Sequence, residues 1–205
     1  MVLFSFLTLL FGLSCTFENT PAQDKILSST IDNNEPLDSM TQRFLDGGRI
    51  DVKNKTVYDG AYCSGGYPAE GIGVCTDVIW RAFKYCGISL KDSVDSEIQK
   101  NPSNYYQPTG KPDKNIDFRR VKNLLVYFKG HAKSLTTVYD TSTLETWQPG
   151  DIVCFKSPDH IAIISDKKND KGDPYIIHNS GPTAREADDL LVWVYNCTGH
   201  FRYNF

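Results

Sequence analysis

No block of like charge runs through this 205-residue chain: its formal net charge is −3, and lysines are interleaved with aspartates in stretches such as "SDKKNDKGD". A nucleic-acid-binding surface needs a basic patch or stripe, so that class is excluded and no nucleic-acid partner is expected. The six cysteines (15, 63, 75, 86, 154 and 197) include no CxxC pair and resemble no disulfide framework. Without paired-ligand spacing neither a metal nor a cofactor is expected, and most of the thiols should be buried. There is no internal repeat, which excludes a solenoid. Histidine is scarce, with only four in the chain, so the search for a general base is short.

The one long apolar run, Met1 to Ser14, carries no charged side chain and stops at Cys15. It falls short of the roughly 20 residues of a membrane-spanning helix and reads as the apolar region of a signal peptide. Gly12 and Ser14 just before Cys15 resemble the end of a bacterial lipoprotein signal, in which the cysteine is acylated and becomes the mature N-terminus. Gly12 departs from the large aliphatic residue usual there, and the basic n-region is missing. An ordinary cleaved signal is the alternative. Residues 1–15 are therefore expected to be a signal peptide, and residues 16–38, polar and aperiodic, a tether with a reach of roughly 25 to 30 Å. A single domain over 39–205 completes the chain. Its expected place is the bacterial cell envelope, on the periplasmic side, held to a membrane only by the lipid on Cys15. A monomer is expected.

The domain opens with a short helix, "SMTQRFLDGG", which Gly47 and Gly48 should close at its C-cap. In "EGIGVCTDVIWRAF" the turn at Gly71 and Gly73 gives way to helical spacing: Val74, Val78 and Ala82, with Cys75, Ile79, Phe83 and Cys86, form an apolar stripe. A third helix is expected in "IDFRRVKNLLVYFKGH" with Asp117 as N-cap. Beyond Leu135, "DIVCF", "HIAIISD", "PYIIHNS" and "LLVWVYN" read as strands bounded by turn residues. Helices first and strands second predict an α+β domain, an antiparallel sheet with helices packed on one side.

Cys75 opens a helix. Buried unpaired cysteine often packs as a small hydrophobe, and Cys75 fits that role. A helix N-terminus also favours a thiolate and offers N–H donors to an oxyanion, which fits a nucleophile, although Asp77 opposes the thiolate. His160 begins a strand after the turn "KSPD", on one face with Ala162 and Ile164, where solvent should reach it while a rigid element holds it. The hairpin loop "DKKNDKGDP" should return the chain antiparallel and bring His178 to the same end of the sheet. Nucleophile, base and orienter are then available in Cys75, His160 and His178. Asn179 competes with His178 as orienter but should face the other way. Tyr62 or Tyr67 offers a hydroxyl to the substrate or oxyanion, or packs in a loop. Asp117, Arg119 and Arg120 suit a peptide carboxylate or a structural ion-pair cluster. His200, near the C-terminus among aromatics, reads as structural.

The order of a Cys opening a helix, then "WQPGDIV", then His before an aliphatic run, then "IH" after a hairpin resembles the NlpC-type papain-like cysteine peptidases of bacterial cell walls. The blocks "YDGAY", "GGYPAEGIGVCTDVIWRAF", "PDKNIDFRRVKNL", "WQPGDIVCF", "DHIAIISD", "YIIHNSG" and "TGHFRY" are similar to the bacterial family called domain of unknown function 1287. The resemblance implies a papain-like α+β core with Cys75 as nucleophile, His160 as base and His178 as third member. It implies an amidase or endopeptidase acting on peptidoglycan or its peptide fragments. Many NlpC-type enzymes carry Asp before the cysteine, where it helps hold the amine of the stem peptide; here the order is "VCTD", and Asp77 lies on the other side. Asp77, Arg119, Tyr62 and Tyr67 are the candidate substrate contacts. Two other functions stay open: a thioester-forming acyltransferase, and a tethered wall-binding or assembly module without hydrolysis.

Overall fold

The computed structural model describes residues 37–205; the expected signal, the lipidation site Cys15 and nearly all of the expected tether lie outside the described residues. The first helix, α1, spans Ser39–Lys53, and Asp38 caps it by accepting from the Met40 and Thr41 N–H groups at 3.0 Å. It does not stop at Gly47 and Gly48, as expected, but continues through them. A Cβ on Gly47 would lie 2.7 Å from the Tyr85 Cβ and 2.8 Å from the Ala82 Cα, so the glycine lets α1 touch the next helix, Cys75–Tyr85, backbone to backbone. Close approach, not chain termination, is why glycine stands there.

A short parallel ribbon, β1 Val57–Tyr58 and β2 Ile72–Gly73, leads into α2, Cys75–Tyr85. Val78, Ile79, Ala82 and Phe83 have no exposed surface, so the stripe seen in the sequence is the buried face of α2. Burying a side chain such as Ile79 or Phe83 contributes roughly 1.5–3 kcal/mol, enough for this helix to anchor the core. The helices α3, Leu90–Lys100, and α4, Val121–His131, pack beside it. Asp117 does not cap α4: it lies in a 3₁₀ turn, Asp117–Arg119, where its carboxylate accepts from the Asp113 N–H at 2.6 Å.

The remaining strands are β3 Lys133–Ser134, β4 Ile152–Phe155, β5 His160–Lys168, β6 Pro174–His178, β7 Arg185–Ala187 and β8 Cys197–Arg202. They form a six-stranded sheet in the order β3-β8-β4-β5-β6-β7, and every pairing is antiparallel. The α+β class follows. Alternation along β5 sends Ile161 and Ile163 into a core shared with α1 to α4, and Ala162 and Ile164 into a second core on the other face. Packing on one side only is thus corrected: the second face is covered by Trp147, Leu190 and Val194. The run "LLVWVYN", expected as a strand, is a helical turn, α5 Leu190–Trp193, followed by a 3₁₀ turn, Val194–Asn196. Its apolar residues are needed to cover the sheet, not to extend it.

Candidate active site at the end of β5

Cys75 is the first residue of α2, and the Ile161 backbone N–H bears on its sulfur, together with the N–H groups of Thr76 and Cys75 itself. The thiol therefore lies beside the residue that follows His160. It is only 6% exposed. Burial pushes the Cys75 thiol up to about 12, against the weaker opposing pull of those N–H groups, with Asp77 adding to the rise. Burial therefore disfavours the expected thiolate at rest. A helix N-terminus contributes too little to offset full burial here.

The register of Ile163 opposite Ile177 sets His178 diagonally across from His160 on one face of the sheet. Nε2 of His160 lies 2.8 Å from Nδ1 of His178, so the two imidazoles meet as the hairpin topology predicts. His160 is not open to solvent, as expected of a strand start. It is 3% exposed, because the Trp193 ring stacks on it at a centroid distance of 4.2 Å. Burial, then the charges on His178 and Arg185, holds its pKa well below the usual 6.5; burial and Arg185 do the same to His178 against the opposing hydrogen bond with Asp189. Both rings are neutral at neutral pH. Among the described residues Nδ1 of His160 has no hydrogen-bond partner, and this is the ring atom left for a substrate or thiol proton.

Two residues of this constellation escape the sequence reading. Asp189 Oδ2 lies 3.0 Å from Nε2 of His178, and Arg185 donates to the same oxygen through Nε at 2.7 Å. Arg185 opens β7 and Asp189 stands just before α5, while Trp193, which stacks on His160, lies in the run expected as a strand. Asp188 and Asp189 ahead of an apolar run form a helix-start signal that would have found the turn. Asn179 is committed elsewhere: its amide donates to the carbonyls of Thr56 and Gly73 at 3.1 and 3.0 Å.

The family described as Domain of unknown function (DUF1287) matches residues 45–203, which takes in every element named above except the start of α1. The chain belongs to the DUF1287 family. It is also similar to a protein of Escherichia coli (strain K12) described as "Uncharacterized protein YijF", 36% identical over 167 residues that cover 77% of this chain and 79% of that protein.

Within the DUF1287 domain none of the four expected substrate contacts makes a hydrogen bond or ring contact with His160 or His178 among the described residues. Asp77 is fully buried and binds Arg119 through two bonds, Nε to Oδ1 and Nη2 to Oδ2, both 2.8 Å. It also accepts from the Trp80 Nε1 and the Val74 N–H, each at 2.7 Å, and so caps the helix that carries Cys75. Neither Asp77 nor Arg119 is left to hold an amine or a carboxylate. The Tyr62 hydroxyl meets Asp113 and Asn115, and the Tyr67 ring packs on Trp80 and Phe118. His200 is structural, as read: Nδ1 lies 2.7 Å from the Thr136 carbonyl oxygen, Nε2 lies 2.9 Å from Asp151, and the ring stacks on Trp147. Cysteines 63, 75, 86, 154 and 197 are free thiols, but only Cys75 and Cys154 are buried.

Proposed function

We propose that this DUF1287 protein is a cysteine hydrolase of the bacterial cell envelope, an amidase or endopeptidase that cleaves an amide bond in peptidoglycan stem peptides. One observation carries the chemistry: the Cys75 sulfur lies against the backbone of Ile161 at the end of β5, where His160 is held by His178 with Nδ1 free. That placement supports reading the three as nucleophile, base and orienter. The likeness of the sequence motifs to NlpC-type peptidases supports a papain-like fold and the choice of substrate.

In this reaction the thiol proton passes to Nδ1 of His160 as the sulfur attacks the carbonyl. Burial opposes both an isolated thiolate and an isolated imidazolium, so proton transfer accompanies attack rather than preceding it. The N–H groups at the start of α2 stabilise the developing oxyanion. The imidazolium of His160 then protonates the leaving amine, and water activated by the same ring hydrolyses the thioester.

The test is mass spectrometry of muropeptides released from purified wall by wild type and by Cys75→Ser. Release by wild type alone, with a new amine and a new carboxylate at one bond, is expected. No release by wild type, together with retention on insoluble wall, overturns hydrolysis in favour of a binding module. Equal release by both proteins overturns Cys75 as nucleophile.

A further inference from the structure

Asp189 occupies the N-cap position of α5, where an aspartate ordinarily accepts from the N–H groups of the first turn. Its side chain makes no such bond. Oδ2 instead sits between His178 Nε2 at 3.0 Å and Arg185 Nε at 2.7 Å, while Arg185 is itself held by the Gly181 carbonyl and the Ser180 hydroxyl, both at 2.8 Å. Burial raises the Asp189 pKa, but hydrogen bonds from Arg185 and His178 prevail and leave it lowered, so the group is a carboxylate and only accepts.

Such an acceptor dictates the protons along the chain. His178 must carry its proton on Nε2, which leaves a lone pair on Nδ1. That lone pair, 2.8 Å from His160 Nε2, can be satisfied only by a proton on His160 Nε2. The Nδ1 of His160 is then unprotonated. We propose that Asp189 is a positioning residue that fixes the tautomers of both histidines, presenting the Nδ1 lone pair of His160 as the base for the Cys75 thiol. The use of that lone pair rests on the hydrolase reading; the tautomers do not.

Two substitutions separate orientation from charge. In Asp189→Asn the amide oxygen can occupy the position shared by Arg185 and His178, so both rings keep the proton on Nε2. In Asp189→Ala the polar group left beside His178 Nε2 is the Arg185 guanidinium, which only donates. It favours a lone pair there, moves the His178 proton to Nδ1 and, through the shared bond, puts the His160 proton on Nδ1 as well. The base is then blocked.

Long-range ¹H–¹⁵N spectra of the ¹⁵N-labelled full chain at neutral pH, with rings assigned by single histidine substitutions, read these states directly. Expected are Nε2–H on both rings in wild type and Asp189→Asn, and Nδ1–H on both in Asp189→Ala. Activity on purified wall should fall by less than about 10-fold in Asp189→Asn and by on the order of 10⁴-fold in Asp189→Ala, the scale of loss that a wrong tautomer causes in a serine protease. Nδ1–H on His178 in wild type overturns the proposal without any variant. Wild-type tautomers in a folded Asp189→Ala, or equal losses in both variants with unchanged spectra, also overturn it and reduce Asp189 to a structural residue. Should wild type cleave no wall, the hydrolase reading fails while the spectra still decide the tautomers.

Discussion

Asp77 and Arg119 face each other through two parallel hydrogen bonds, both 2.8 Å, with side-chain exposures of 0% and 2%. The pair ties the 3₁₀ turn before α4 to the first turn of α2 and so fixes the helix end that carries Cys75. Removing one partner leaves a buried charge uncompensated, which typically costs 3–5 kcal/mol. Arg119→Met is therefore expected to lose about 3–5 kcal/mol in urea unfolding. A rise in KM with unchanged stability would instead return Arg119 to the substrate.

Gly47 and Gly130 predict opposite effects of the same substitution. Both lie in helices, where alanine is favoured over glycine by roughly 1 kcal/mol. At Gly130 an added Cβ meets nothing within 4 Å, so Gly130→Ala should stabilise by about 0.5–1 kcal/mol. At Gly47 the same atom would come within 2.8 Å of the Ala82 Cα, a backbone atom that cannot swing aside. Overpacking of about 1–3 kcal/mol then exceeds the propensity gain, and Gly47→Ala should lower the melting temperature. Equal shifts in both variants would show that α1 and α2 are not in this contact.

Thiol labelling should follow exposure. Cys63, Cys86 and Cys197 are half-buried, whereas Cys75 and Cys154 are buried, with thiol pKa values raised chiefly by burial. Iodoacetamide near neutral pH is expected to modify the first three before Cys75 in the native protein, as read by peptide mapping. This reverses the ranking that a helix N-terminus alone suggests. Fast alkylation of Cys75 without substrate would mean a thiolate already present at rest.

The parts of the site legible in the sequence are those set by local periodicity. Alternation along "HIAIISD" and the hairpin loop before "PYIIH" suffice to bring His160 and His178 together, because a strand repeats every two residues and a hairpin returns the chain beside itself. The stripe in "VCTDVIWRAF" gives α2 in the same way. What is not legible depends on contacts between distant elements. Gly47 and Gly48 carry a C-cap signal, but Gly47 is needed for helix contact with Ala82 and Tyr85, and Gly48 for close packing on Ile163 and Ile177. The apolar run after Asp189 has strand composition, yet the sheet's second face needs a cover. The pairing of Asp77 with Arg119 spans 42 residues and leaves no local pattern to read.

The two central histidines predict how stability depends on pH. In the unfolded chain each titrates near 6.5; folded, burial and the Arg185 charge hold both lower, with the charge of His178 acting further on His160. As pH falls below 6.5 the unfolded chain takes up protons that the native rings refuse. Unfolding therefore binds protons, and stability must fall with falling pH, by up to about 1.4 kcal/mol per pH unit for each ring. Asp51 and Asp117 act in the opposite direction, since burial raises their carboxyls. Glu186 and Asp189, both lowered, add to the loss only near and below the ordinary carboxylate range. A variant cancels these contributions: in His160→Asn/His178→Asn neither position titrates, while the four acidic groups remain. Urea unfolding at intervals from pH 7.5 to pH 5 should show wild type losing stability relative to the double variant, with the gap changing steadily below pH 6.5. Parallel curves for the two proteins would mean that the imidazoles titrate alike folded and unfolded, and that the pair at the end of β5 is open to water.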